Sequence, residues 1–306
     1  MEKYTVSALL KAHREKARSV LENKRLSFIN IDGQDVYNPA YPIIFEEKLV
    51  LPARVERRES EVSRIVMFEQ DQVQDTWKPI RDFPATNLQD PFWIQLDTML
   101  LLGGVHVDYS PSGLVQSWKT VFLTCNSLQD TSPYFTGPKG MKDLRICSLP
   151  CGKIALFTRP QGKKKGGRGQ IGYSLLDSLH DLTINAVENA PLLEIFSEEE
   201  WGGVNHAQVL PDGTLGVLGH IACFSSDMHR HYYPMTFVID PLSGYLVKEP
   251  SIILERRDLL PGSSKRPDLQ DVIFPGGCVL KNDISILYLG VSDIEVQKVV
   301  LKNLFA

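Results

Sequence analysis

The feature that most constrains this chain is a passage that recurs five times from Asp35 onward. Each copy runs from a polar residue through a strand, a tight turn and a more apolar return strand. It then reaches a polar or charged group, a loop and a third strand. The copies open with "DVYNPAYPIIFEEKLVLPARVE", "LQDPFWIQLDTMLLLGGVHVDY", "KDLRICSLPCGKIALFTRP", "GGVNHAQVLPDGTLGVLGHIAC" and "LQDVIFPGGCVLKNDISILYLGVSD". Turns such as "PDGT" and "KNDI" carry the residues that tight hairpins need. The opening residues Asp35, Asp90, Asp143, Asn205 and Asp271 are 55, 53, 62 and 66 residues apart, the length of a four-stranded unit with its loops. Five such units fill the chain. The expected fold is therefore all-β, a five-bladed β-propeller whose radial closure leaves few sheet edges exposed. A two-sheet sandwich is the alternative, and it leaves the recurrent acids unexplained.

Ahead of the repeat, "TVSALLKAHREKARSVLENK" has helical periodicity, with Val6, Leu9, Leu10, His13, Ala17, Val20 and Leu21 near one face and Thr5 or Ser7 as cap. This predicts a helical extension over residues 1–26 packed outside a propeller at 27–306. A net charge of −4 gives no reason to expect nucleic acid or an anionic membrane as partner. No run approaches the ~18 apolar residues of a membrane span, and no apolar leader stands at the N-terminus. The five cysteines have no CxxC spacing, which argues against zinc and against a disulfide framework. A reducing compartment, most simply the cytoplasm, is expected.

In a propeller the innermost strands all begin at one face, so Asp35, Asp90, Asp143 and Asp271 converge on one mouth of the channel. The end of each second strand offers cations to the same mouth: Arg54, Arg159 and His220. With the aromatic residues Tyr37, Trp93, Trp201 and Tyr232 nearby, such a pocket suits a small polar ligand, and a sugar above all. Crowded carboxyls raise one another's pKa values, and one carboxyl kept protonated beside others kept ionised is what glycosidic cleavage requires. Taken singly, each aspartate is equally explained as a turn cap, each arginine as a structural ion pair and His220 as a core histidine. Other motifs are weaker. "GGRGQIG" lacks the strand and helix of a dinucleotide fingerprint. "MHRHYY" with His206 and His220 lacks metal-ligand spacing, so no metal is expected. No nucleophile elbow is present. "GKKKGGRGQ", Gly162–Gln170, reads as a solvated loop or as an anion-gripping one.

The motifs "YNPAYPIIFEEKLVLPARVE", "QDPFW", "KDLRICSLPCGKIALFTRP", "EEWGGVN", "GHIAC", "YYPMTFVIDP" and "QDVIFPGG" resemble the domain-of-unknown-function family 1861 over nearly the whole chain. From about Asp35 to Leu301 they also resemble glycoside hydrolase family 130, which is composed mostly of mannoside phosphorylases with some hydrolases, within the furanosidase-like propellers. That resemblance implies Asp90 as general acid and Asn38 with Pro39 as sugar contacts, Arg54 being nearby. Asp143 matches an aspartate of a Lys-Asp motif, and Asp271 the acid before a Phe-Pro-Gly turn. Arg159, His220 and Tyr232 match groups that grip phosphate. Two departures stand out: Phe92 replaces an arginine, and "WGGVN" lacks a phosphate-contacting lysine, which weakens a dianion site.

Taken together, the expectation is an inverting glycosidase or glycoside phosphorylase acting on a small glycoside. Asp90, Asp143 and Asp271 are its candidate catalytic residues, with Asp35, Asn38, Arg54, Trp93 and Asn205 on the sugar. Arg159, His220 and Tyr232 would hold phosphate as a co-substrate, and no other cofactor is expected. If water attacks instead, two carboxyls should stand ~6.5–9.5 Å apart. A non-catalytic sugar- or metabolite-binding propeller is the alternative.

Overall fold

The computed structural model describes residues 3–16, 20–84, 86–96, 99–162 and 167–305. Each recurrent unit folds as an antiparallel meander. Unit one contains Asp35–Tyr37, Lys48–Glu56, Ser63–Asp71 and Thr76–Pro79, with the short strand Ile43–Phe45 added against Lys48–Glu56. Unit two contains Leu88–Leu96, Met99–Tyr109, Val115–Cys125 and Thr131–Thr136. Unit three has three strands, Arg145–Ser148, Ile154–Thr158 and Gly172–Leu176. Unit four contains Trp201–Val209, Leu215–Phe224, Arg230–Ile239 and Leu246–Ile252. Unit five contains Asp271–Lys281, Ile284–Val291 and Glu295–Lys302. Units four and five join into one sheet through parallel pairing of His231 with Asp271 and Tyr232 with Val272. Alternation of apolar residues along the strands fills the space between units: Phe92, Leu101 and Phe122 of unit two meet Leu144, Ile146 and Leu156 of unit three in one buried cluster. Among the described residues no helix is long and apolar enough to cross a membrane.

The N-terminal segment divides differently from its sequence pattern. The helix spans only Val6–Glu15, with Thr5 Oγ1 accepting from the Ala8 amide at 3.2 Å and Val6 and Leu9 buried against units three and four. Val20–Arg25, which the helical periodicity includes, is a strand paired antiparallel with Glu295–Lys302. The first strand of the chain thus completes the last unit. The ladder gives hydrogen-bond partners to an edge that would otherwise stand open, and Leu21, a core position in the helical reading, is 56% exposed.

Register explains which of the recurrent polar residues are equivalent. In unit two Gln89 pairs with Val105 and Phe92 with Gly103, so the strand carries one extra residue at Asp90–Pro91. Unit one repeats this: Tyr37 pairs with Arg54, and the Ala40 amide donates to Pro52, leaving Asn38–Pro39 as the irregular pair. In unit four the shift falls between Val204 and His206, and in unit five between Pro275 and Gly277. Asn38, Asp90 and Asp143 all have left-handed backbone, with φ of 42°, 50° and 61°. Asn and Asp tolerate that conformation better than other residues with a Cβ. The irregularity bends each strand locally, as bulges do. Asp35 and Asp271 therefore lie upstream of the repeated position, three residues before Asn38 and four before Pro275.

The irregular pair of unit one presses on unit five. A Cβ on Gly276 would stand 1.6 Å from the Pro39 carbonyl oxygen, and one on Gly290 would stand 2.0 Å from Asn38 Oδ1. First and last units therefore touch backbone to backbone at Asn38. Gly276→Ala cannot be accommodated by a rotamer change, because the obstructing atom is main chain. The substitution is expected to destabilise by about 3 kcal/mol, the upper part of the overpacking range, read from the midpoint of chemical denaturation.

Candidate functional site

The irregular pairs and second-strand ends face a cavity of about 390 Å³ to which all five units contribute. Unit one supplies Asn38 and Arg54, and unit two supplies Gln89 and Asp90. Lys142 and Asp143 come from unit three, and His220, Arg230 and Tyr232 from unit four. Phe274 and Asp293 come from unit five. One wall is apolar. Val105, Val107 and Tyr109 alternate along their strand, Trp118 pairs with Val107 and Val115 with Tyr109, and all five line the cavity.

The carboxyls are in unlike surroundings. Asp90 Oδ1 accepts from Asn38 Nδ2 at 2.9 Å and from Arg54 Nη1 at 3.4 Å. Arg54 is buried, and its Nη2 donates to Glu56 Oε2 at 2.9 Å. Glu56, fully enclosed, also accepts from the Tyr37 hydroxyl at 2.5 Å and from Lys265 Nζ. A buried charge persists only when paired, and here two cations and a phenol satisfy one carboxylate. Asp293 is different. Burial, reinforced by Asp90 and Glu56 and opposed by Arg54 and Lys265, pushes its carboxyl up to about 6. Asp143 moves the opposite way. Burial resists its ionisation, but Arg159 Nη1 at 2.8 Å, together with Lys142, His220 and Arg145, holds it well below the usual carboxylate range. Burial drives His220 down to about 3 against the pull of Asp143, so the imidazole is neutral near pH 7. Its Nδ1 donates to Asn205 Oδ1 at 2.8 Å, which leaves Nε2 as an acceptor. Tyr232 stacks on the ring at 5.5 Å and accepts from Trp201 Nε1.

Of the residues singled out in the sequence, Asn38, Arg54, Asp90, Asp143, His220 and Tyr232 line this cavity. Arg159 and Asn205 stand behind it, holding Asp143 and His220. Three lie elsewhere. Asp35 is paired with Arg58 at 2.5 and 2.6 Å. Asp271 accepts from His231 Nδ1 at 2.7 Å and from the Tyr233 hydroxyl, at the seam of units four and five. Both precede the irregular position and so miss the cavity. Trp93 packs in the core with Ala40, Met67 and Leu102, because Phe92 and Trp93 follow the bend and turn away. Phe92, standing where an arginine was expected, lies on Gly103, whose Cβ would fall 2.0 Å from its ring. The guanidinium of Arg145 covers the ring at 3.5 Å, so a cation from unit three stands beside the position that lacks one.

The sequence reading missed Asp293, Glu56, Lys142 and Lys265. Glu56 ends the second strand of unit one and Asp293 follows that of unit five, the place from which the sequence pattern supplies cations in the other units; "RVE" and "GVSD" carry the signal. Of the basic loop, residues 163–166 lie outside the described residues, while Arg168 sits over Phe224 at 4.9 Å. The histidines of "MHRHYY" are taken up locally, His229 beside Asp227 and His231 on Asp271. Among the described residues, the three potential metal ligands that cluster are His13, Glu255 and Asp258, and Glu255 already pairs with Arg14 and Arg257.

The sequence matches the family model described as "Protein of unknown function (DUF1861)" over residues 12–306. No curated protein matches it. Among solved structures, MPT-4, a mannose phosphorylase from Leishmania mexicana in complex with phosphate ion, is similar with a TM-score of 0.88 and 28% identity, over 97% of this chain and 92% of that one. MPT-1, a GDP-Man-dependent mannosyltransferase from the same organism, gives 0.86 and 26%, over 98% and 94%. A β-1,2-mannobiose phosphorylase from Listeria innocua gives 0.61 at 12% identity, over 95% and 93%, a likeness of fold alone.

The raised Asp293 carboxyl has a stability consequence. Its folded-state value of about 6 lies above the ordinary 3.8, so the stability carried by the protonated form is complete below 3.8 and lost as pH rises through 6. Ionisation in place costs about 3 kcal/mol at high pH. Asp293→Asn removes that cost. Between about pH 3.5 and about pH 8, urea denaturation is expected to show the variant gaining about 3 kcal/mol on the parent.

Proposed function

The chain belongs to the DUF1861 family, and from the chemistry of its cavity we propose a carbohydrate-active enzyme that cleaves a mannosidic bond on a five-bladed propeller, the five meanders being its blades. The observation that carries this is the unequal state of two carboxyls, Asp293 and Asp143, around one sugar-sized cavity that a third, Asp90, also lines. Asp293 keeps its proton up to about pH 6, Asp143 is firmly ionised, and the Oδ1 of Asp90 is held by Asn38 and Arg54. A proton donor beside carboxylates is the requirement of glycoside cleavage by inversion. The apolar wall of unit two suits a pyranose face, and the 28% identical relative named as a mannose phosphorylase supports mannose as the sugar.

In this reading the mannosyl unit lies between Asn38, Asp90 and Asp293. Asp293 or Asp90 protonates the leaving oxygen, directly or through a sugar hydroxyl, and the attacking group enters from the side of Lys142, His220 and Tyr232. Phosphate is the first candidate for that group. Lys142 offers a cation and Tyr232 a hydroxyl, while neutral His220 accepts a hydrogen bond from the hydroxyl of a monoanion. Water is the second. It is favoured by the place of Arg159, which stands behind the cavity wall with its Nη1 on Asp143.

The test is to incubate the protein with β-mannosides, with and without phosphate, and to measure mannose 1-phosphate and mannose. Turnover in either form is expected, and replacing the proton donor should lower kcat by about 10²- to 10⁴-fold. An aryl mannoside with a good leaving group needs little protonation. It should restore the rate of whichever variant, Asp293→Asn or Asp90→Asn, has lost the acid, and leave the other impaired. Phosphate or mannose raising the melting temperature without turnover would instead mark a binding protein.

A further inference from the structure

Two charged residues that do not line the cavity reach into its machinery. Lys265 lies in the connection between units four and five, yet its side chain is only 3% exposed. Its Nζ donates to Glu56 and, at 2.6 Å, to the Ser60 carbonyl, with Glu61 at 3.4 Å. Its backbone amide donates at 3.0 Å to the carbonyl of Ser292, the residue before Asp293. Glu56 passes the contact on: Oε2 receives Nη2 of Arg54 at 2.9 Å and Nε at 3.3 Å, and Arg54 Nη1 reaches Asp90. One lysine is thus tied to Asp90 through two intermediates and to the backbone at Asp293 directly.

We infer that Lys265 and Glu56 form a buried positioning pair, with Lys265 fixing Glu56, Glu56 aiming Arg54 at Asp90, and the pair balancing the charge of the cavity at Asp293. The inference deepens the proposed reaction and rests on it for its catalytic meaning. Its physical content is that of a closed set of charges. Asp293 faces Arg54, Asp90, Glu56 and Lys265, with Tyr37 on the same side. Lys265 also faces Glu61, which Arg266 pairs separately. Deleting the lysine leaves Glu56 with less compensation, so negative potential at Asp293 rises. Neutralising Glu56 lowers it. A merely structural pair would disturb folding without moving the proton affinity of Asp293 in opposite directions.

The experiment follows the Asp293 carboxyl by carbon NMR in the full chain labelled at aspartate, the signal being assigned by its loss in Asp293→Asn. In the parent the midpoint is expected near 6. Lys265→Met should move it up, and Glu56→Gln down, each by about one pH unit. Lys265→Arg, which keeps charge and donors, should restore the parent midpoint. Lys265→Gln serves in place of Met should that variant fail to fold. In an active preparation the alkaline limb of the rate profile, where a proton donor is lost, should follow the same order. Midpoints that stay put, or move together, would overturn the inference. Midpoints that move as stated while no form, parent included, acts on a mannoside would keep the positioning pair and reject the proposed reaction.

Discussion

Burying a charge is tolerable only in company, and the centre of this molecule is arranged around that constraint. Arg54, Glu56 and Lys265 are withdrawn from water, and an isolated member would be driven to neutrality or out of the core. Glu56 satisfies the requirement by collecting Tyr37, Arg54 and Lys265 at once. The donors come from unit one and from the connection into unit five, so the network also ties the two ends of the repeat together. The backbone contact of Pro39 with Gly276 lies at the same junction. Packing and charge pairing therefore demand the same alignment of first and last units. That agreement favours one native arrangement over slipped alternatives.

Across the cavity the same residue types are set to different states by their neighbours. Asp143 is buried and Asp293 half-buried at the cavity wall, and desolvation works against ionisation in each. Arg159 stands 2.8 Å from Asp143 and reverses the balance there. At Asp293 the nearest cations are shared with Asp90 and Glu56, and burial prevails. His220, kept from water by burial and in the company of Arg159, Lys142 and Arg145, stays neutral despite the ionised Asp143. The cavity is consequently polarised: Asp293 of unit five holds its proton on one side, and on the other ionised Asp143 of unit three stands among the cations Lys142, Arg145 and Arg159 beside neutral His220 of unit four. The apolar face of the unit-two hairpin runs between them. A ligand with one apolar ring face and a polar rim fits that division better than a uniformly charged one.

The fold was largely legible because a recurring strand-turn-strand passage admits few packings, and the strands fall where the repeat places them. The helix was overextended, since Val20 and Leu21 satisfy a helical period as well as a strand edge, and the competing partner, Glu295–Lys302, is 270 residues away. Within the site, Arg54, Asp90, Asp143 and His220 could be named because they sit at two repeated places, the start of the first strand and the end of the second, while Asn38 and the phosphate role of Tyr232 came from the family resemblance. What could not be read was register to a single residue. An acid three or four positions early looks the same in a sequence, yet Asp35 and Asp271 end on Arg58 and His231 instead. Glu56 and Lys265 were invisible for another reason: their meaning is a contact between residues 209 positions apart.

The difference between the two classes of aspartate is a backbone property. Asp90 and Asp143 hold left-handed φ values, whereas Asp35 and Asp271 are absent from that region and lie within regular strand pairing. A left-handed residue at an irregular step turns its side chain out of the alternation that sends strand neighbours to one face or the other, and so can be aimed along the strand end. Asp and Asn are among the few residues with a Cβ that enter this region at small cost. The recurrence of acids at unit starts thus has two causes that coincide in Asn38, Asp90 and Asp143. The bend selects a short polar side chain, and the cavity then uses it. Asp35 and Asp271 resemble them in sequence but serve to close seams, one onto the Arg58 loop and one between units four and five. Left-handed backbone, rather than acidity, marks which repeat residues face the cavity.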